Sequence, residues 1–185
     1  MRPDFWLWVD LSMLGRLGFI WGSVGVVGML LASVVRLSNI ALEFFLYPVH
    51  IWHWLALLLW IVFMAYTEGY KGFQKAFSPR VAARLIWLQQ NPKPWLVLLA
   101  PLYAMGFIYA SKKRIIISYG ILAMVAVFII IAINLPQPWR PIMDAGVVVG
   151  LFWGATATGW HILLALRAGT SMVNPELPRA AYRHV

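Results

Sequence analysis

Cysteine is missing from this sequence, and acidic residues are almost as scarce. None of the 185 residues is cysteine, so disulfides, thiolate metal sites, iron–sulfur clusters and cysteine nucleophiles are excluded. Only six residues are Asp or Glu, and charged residues make up 11% of the chain, against about 25% in soluble domains. The sequence also has no zinc-protease motif, phosphate-cradling glycine loop, Ser-His-Asp set or nucleotide fingerprint. These absences argue against a self-contained enzyme.

Apolar side chains are abundant instead, at 62% of the residues, and the mean hydropathy is +0.78. A single soluble core could not hide so much apolar surface, whereas spans of roughly 20 residues each would use nearly the whole length. We therefore predict an all-α, polytopic transmembrane helix bundle in which residues 1–185 form one integral membrane domain. The net charge is +9, and the Lys and Arg residues lie next to the apolar segments. This position indicates anionic lipid headgroups rather than nucleic acid as the partner.

The apolar residues fall into five segments, at 17–35, 41–66, 95–110, 115–135 and 142–166. The third has 16 residues, or about 24 Å of helix against a hydrocarbon core of about 30 Å, and it contains Pro101 and Gly106. Two arrangements follow. Either all five segments span the membrane, or four span it and the short third segment enters and returns on the same side.

The distribution of Lys and Arg bears on this choice. Five spans would divide the 15 basic residues eight against seven between the two sides, so the positive-inside rule would decide nothing. A re-entrant third segment gives 13 against two, with only Arg36 and Arg140 outside and both termini cytoplasmic. However, 16 nearly unbroken apolar residues are not typical of a re-entrant segment, so both arrangements stay open.

The only long polar stretch is residues 67–94, which we predict to be a basic loop. Ser78-Pro79 has the form of a helix start, and an amphipathic helix at about 79–90 is expected to lie in the membrane interface. A solvated linker helix is the alternative. Four basic side chains of this stretch are predicted to contact lipid headgroups: Lys71, Lys75, Arg80 and Arg84. Residues 168–185 form a second basic segment, the C-terminal tail.

Glycines recur at helical spacing in the first and last apolar segments. The first has Gly15, Gly18, Gly22, Gly25 and Gly28, and the last has Gly146, Gly150 and Gly154, followed by Thr158. Such stripes let a second helix approach closely in a membrane. We predict helix-packing grooves at Gly18, Gly22 and Gly25 and at Gly146, Gly150 and Gly154, which pack on one another or on a neighbouring helix.

Three histidines are candidate ligands. His50 and His53 lie three residues apart near the start of the second segment, and His161 lies near the end of the fifth. If all five segments span, these ends share one side of the membrane, and the pair could hold a b-type haem or flank a quinone. The alternative is that each histidine sits at headgroup depth beside tryptophans. No metal site is predicted.

Two acidic residues lie closest to the apolar segments. Asp144 follows Arg140 by four residues, which predicts a local ion pair, and Glu43 has Arg36 as a possible partner. Either acid, if buried and unpaired, would mark a proton or ion path.

The functional prediction is a multi-pass protein of the cell membrane, of the bacterial inner-membrane type, that acts through helix packing with other membrane helices. It would be an accessory subunit, a scaffold or a homo-oligomer rather than an enzyme. A membrane redox module using His50 or His53 with His161 is one alternative, and a small transporter or channel using Asp144 or Glu43 is another.

Overall fold

The computed structural model describes residues 4–171, 173–178 and 181, with side chains from Met13 onward. Within these ranges it is helical and contains no strand. The α-helices are α1 (Asp4–Leu42), α2 (Ile51–Met64), α3 (Ser78–Gln90), α4 (Pro94–Leu98), α5 (Ala100–Ala104), α6 (Lys112–Ile133) and α7 (Trp139–Ala168). A 3-10 turn (Glu43–Leu46) follows α1, and a π-helix (Ala65–Phe77) joins α2 to α3. Of the predicted tail, residues 172, 179, 180 and 182–185 lie outside the described residues.

Four helical stretches are long and apolar enough to cross a membrane: Met13–Leu46, Ile51–Gln90, Lys112–Ile133 and Trp139–Ala168. The third apolar segment is not among them, so the count of five spans is not confirmed. Pro101 lies in the first turn of α5, and Gly106 has a φ of +84°, so residues 95–110 form two five-residue helices and a non-helical return. The number of long helices agrees with the four spans of the second predicted arrangement.

The stretch predicted as a polar loop is helical instead. The π-helix continues α2 directly into α3, so residues 51–90 form one unbroken helical stretch. The α-helical part begins at Ser78, but Ser78 does not start a new helix as predicted, because the chain is already helical at Phe77 and no side chain caps this position. α3 is not shown to be interfacial, because most of its residues are buried. Leu85 and Leu88 are fully inaccessible, which is the environment of a core helix.

The contacts divide the chain into two compact units. The first comprises Met1–Val27, Phe77–Tyr119 and Thr158–Val185, and the second comprises Gly28–Ala76 and Gly120–Ala157. The first unit holds two clusters of buried apolar side chains. One contains Phe19, Val26, Leu85 and Ile162, and the other contains Leu88, Leu96, Tyr103 and Leu177. Residues from α3 contribute to both clusters, so α3 is the central helix of this unit.

The second unit is organised around the contact of α2 and the π-helix with α7. Its part of α6 is different, because residues 120–131 are all exposed. A helix that is apolar on every side is suited to lipid or to a partner helix, and no face of this stretch is buried within the chain. The second unit therefore has a packed side and an uncovered helix.

Candidate interaction site

The groove on α7 is filled by the chain itself. A Cβ at Gly146 would collide with the Trp60 ring, and one at Gly150 would lie 3.0 Å from the Glu68 Cβ. A Cβ at Gly154 would lie 2.5 Å from Phe73 Cγ. Distances below 3.0 Å are essentially never seen for a real Cβ, so Gly146 and Gly154 need to be glycine for α2 and the π-helix to approach, and the contact at Gly150 is also tight.

Two tryptophans donate side-chain hydrogen bonds across the contact between α7 and the α2–π-helix stretch. Trp153 packs over Gly69, where a Cβ would be 2.9 Å from its ring, and its Nε1 donates to Gln74 Oε1 at 2.8 Å. Trp60 Nε1 donates to the Met143 carbonyl at 3.0 Å. Glycines thus occur on both sides of this contact. Gly69, Gly146 and Gly154 each face a ring from the opposite side, and Gly150 faces Glu68.

The groove on α1 is also filled internally, by elements of the first unit. A Cβ at Gly18 would lie 2.9 Å from a Val97 methyl group, and one at Gly22 or Gly25 would collide with Leu85 or Pro101. Each groove is occupied by neighbours within the chain, and the two grooves contact different neighbours. At Gly28 nothing lies within 4 Å of an added Cβ, so the filled part of the stripe ends before that position.

Arg84 requires a correction. The sequence placed it among lipid headgroups, but it is 2% exposed. Its guanidinium donates to the carbonyls of Tyr103 (2.6 Å), Ile108 (2.9 Å), Tyr109 (3.0 Å) and Pro175 (2.8 Å). Irregular backbone at membrane depth must have its polar groups satisfied within the protein. Arg84 supplies donors to the non-helical return after α5, which explains why a buried cation is tolerated there.

The other three predicted headgroup residues differ from one another. Arg80 is partly buried, and its Nε is inaccessible without a hydrogen-bond partner among the described residues. Lys71 and Lys75 are exposed on the π-helix, and each ammonium lies over a tyrosine ring five residues earlier. Their neighbours Glu68 and Phe73 contact α7 at Gly150 and Gly154, near the middle of that helix.

His50 and His53 act together at the start of α2. The His50 backbone N–H donates to His53 Nδ1 at 3.0 Å, which places the proton of a neutral His53 ring on Nε2. The His53 ring meets Trp139, the first residue of α7, edge to face at 5.3 Å. His161 lies in the part of α7 that belongs to the first unit, whereas His50 and His53 belong to the second.

The acidic residues have ordinary roles. Asp144 is buried, and its Oδ2 lies 3.9 Å from Arg140 Nε, so the predicted local ion pair is confirmed. Glu43 begins the 3-10 turn after α1, and no ion pair with Arg36 forms among the described residues. Within the same residues, no group of three His, Cys, Asp or Glu side chains is placed to hold a metal.

Sequence reasoning missed a small cavity in the first unit. It has a volume of about 330 Å³ and is lined by residues that include Ser111, Lys113, Arg114 and Glu176. Arg114 is buried and lies 3.9 Å from the Glu176 carboxylate. The lining residues come from two segments, 111–117 and 174–177, which are more than 50 positions apart in the sequence, so no local spacing could have indicated the cavity.

Four long apolar helices are consistent with a multi-pass helical membrane protein. No protein-family model, curated protein or solved structure matches this chain.

Proposed function

We propose that this protein is an accessory subunit or scaffold of a membrane assembly. The observation that carries the proposal is the uncovered stretch of α6, where every residue from 120 to 131 is exposed. Lipid alone can solvate such a helix, but a helix without neighbours contributes little packing to its own fold. A second membrane protein that docks on this stretch would supply that packing.

The glycine grooves on α1 and α7 are already occupied, which limits the surfaces through which such an assembly could form. Gly22 and Gly154 are already covered by side chains of the same molecule, so association of copies through these grooves would require the internal contacts to open. The partner surface is therefore expected elsewhere in the second unit. Of the three forms considered from the sequence, an accessory subunit or a scaffold is favoured over a homo-oligomer built on the glycine stripes.

The membrane setting is part of the proposal. If the four long helices all cross the bilayer, both termini share one side. The 11 basic residues outside residues 51–90 then divide nine against two, which makes that side the cytoplasm of a bacterial inner membrane. Cysteines placed singly at Lys113 and near the C-terminus should then react from the same side. The natural chain has no cysteine that would compete.

Photo-crosslinking tests whether another protein docks on the uncovered stretch of α6. A photoreactive side chain at Val125, on the uncovered stretch, is expected to give a discrete adduct with another protein in native membranes. The same group at Leu85, which is fully buried, is the matched control and should crosslink only within the chain. If Val125 yields only lipid adducts and uncrosslinked monomer, the protein works alone and the proposal is lost.

A further inference from the structure

The π-helix has two faces with opposite character. One face packs on α7 through Glu68, Gly69 and Phe73. The other face, which we call the lysine–tyrosine face, consists of Tyr66, Tyr70, Lys71 and Lys75. Lys71 Nζ lies 4.6 Å from the centre of the Tyr66 ring, Lys75 Nζ lies 4.5 Å from that of Tyr70, and the two rings stack at 6.0 Å. The five-residue step between each tyrosine and its lysine matches the wide turn of a π-helix.

The lysine–tyrosine face lies level with the middle of α7, which is long and apolar enough to cross a membrane. Gly150 and Gly154, which contact Glu68 and Phe73, are close to the centre of the 30-residue helix α7. Lys71 and Lys75 are within three residues of these contacts. The bilayer centre is about 15 Å from the headgroup boundary, which is farther than a lysine side chain can reach. Both ammonium groups are therefore expected well inside the hydrocarbon region.

Two ammonium groups in that position need compensation. A lysine at the bilayer centre costs about 2.5–3.5 kcal/mol on insertion scales, and a cation–π contact offsets about 0.5–2 kcal/mol of it. Asp144, the buried acid of this unit, is already paired with Arg140. Among the described residues no carboxylate lies within 4.0 Å of either lysine nitrogen, so the remaining cost must be offset from outside the chain.

The charge on this face selects the kind of partner. A second copy would bring two more lysines to the interface and no carboxylate, because Glu68 lies on the face that packs on α7. Like charges in contact oppose association. A transmembrane helix that carries carboxylates near its middle would neutralise both lysines at the depth where charge is most costly. Intramembrane charges characteristically pair with one another in this way.

We propose that the lysine–tyrosine face binds a transmembrane helix of a partner protein with acidic side chains at mid-membrane depth. This inference rests on the proposed accessory role and specifies the chemistry of the partner. It would fail by itself if the adduct at Val125 formed but the face showed no preference for acidic helices. In that case the accessory role would survive with a partner of different chemistry.

Energy transfer in proteoliposomes of zwitterionic lipid tests the proposal. The full chain carries a donor on a cysteine placed at Gln137, an exposed loop position. The probe is an acceptor-labelled apolar peptide helix with two central glutamates four residues apart. We expect half-saturation at a peptide-to-lipid ratio about tenfold lower than for the same peptide with glutamines, which corresponds to about 1.4 kcal/mol.

Variants assign that preference to the two lysines. Lys71→Met with Lys75→Met should abolish the preference without loss of folding, because it removes charge from an apolar environment. Lys71→Glu with Lys75→Glu should instead prefer a peptide with central lysines. The matched control, Lys112→Met with Lys113→Met, changes two exposed lysines at the start of α6 and should retain the glutamate preference.

Three results would overturn the proposal. One is equal binding of the glutamate and glutamine peptides, and another is an unchanged preference in the double-methionine variant. The third is energy transfer between copies of the chain that is lost in that variant, which would assign the face to a second copy.

Discussion

The two compact units of this protein satisfy their buried and charged groups in different ways. In the first unit, the cation on the central helix is enclosed, and Arg84 donates to four carbonyls of its own chain. In the second unit, Lys71 and Lys75 are exposed, and among the described residues their ammonium groups lie against Tyr66 and Tyr70 rather than against a carboxylate. Both apolar clusters belong to the first unit. The difference indicates that the first unit encloses a cation that its own carbonyls satisfy, whereas the second leaves two cations at its surface.

Replacing Arg84 should give the largest effect. Arg84→Met leaves buried carbonyls without donors, each at a cost of about 1–3 kcal/mol, so we expect the free energy of unfolding to fall by about 3 kcal/mol or more. Denaturation in detergent followed by tryptophan fluorescence would measure it. Lys75→Met is the comparison in the second unit and should cause no loss of stability. If both substitutions destabilised the fold equally, the two units would not differ as described.

Enlarging a groove glycine should have a smaller effect. Gly154→Leu forces a side chain into the space of the Phe73 ring, and overpacking of this kind costs about 1–3 kcal/mol. Gly159→Leu on the same helix is the control, because nothing lies within 4 Å of a Cβ at that position. If Gly154→Leu left the stability unchanged but altered association with other molecules, the groove would be a contact between molecules rather than within one.

The smallest effect concerns a buried hydroxyl pair in the first unit. Ser78 Oγ and Thr158 Oγ1 are 2.9 Å apart, and both residues are fully buried. Ser78→Ala or Thr158→Val alone should each cost about 1 kcal/mol. The double variant should lose less than the sum, and this coupling can be measured in a double-mutant cycle. Strictly additive losses would mean that the two hydroxyls do not bond.

The sequence predicted the parts of the fold that depend on local spacing. The in-phase glycines lie where neighbouring elements approach α1 and α7 closely. Pro101 and Gly106 were already a reason to doubt a third span, and they do interrupt it. These features follow from steric rules that act within a few residues.

The π-helix and the role of Arg84 were harder to predict. Residues 65–77 are polar and contain two glycines, a composition typical of a loop, and only the five-residue tyrosine–lysine steps fit a π-helix. Arg84 lies three residues after Val81 and four before Leu88, so it shares their buried stripe. A charged residue within an apolar stripe was the available signal. Its acceptors in the return after α5 and in the C-terminal segment depend on tertiary structure.

Depth-dependent quenching at residue 75 tests most directly the claim that the second unit carries uncovered charge inside the membrane. Single cysteines replace Lys75 and, as a shallow reference, the exposed Lys93. Each is labelled with a fluorophore in vesicles whose lipids are brominated either near the chain ends or near the headgroups. We predict that the label at 75 is quenched more by the deep bromines and the label at 93 more by the shallow ones. Equal preference for shallow bromines at both positions would place the lysine–tyrosine face at the headgroups and contradict the account.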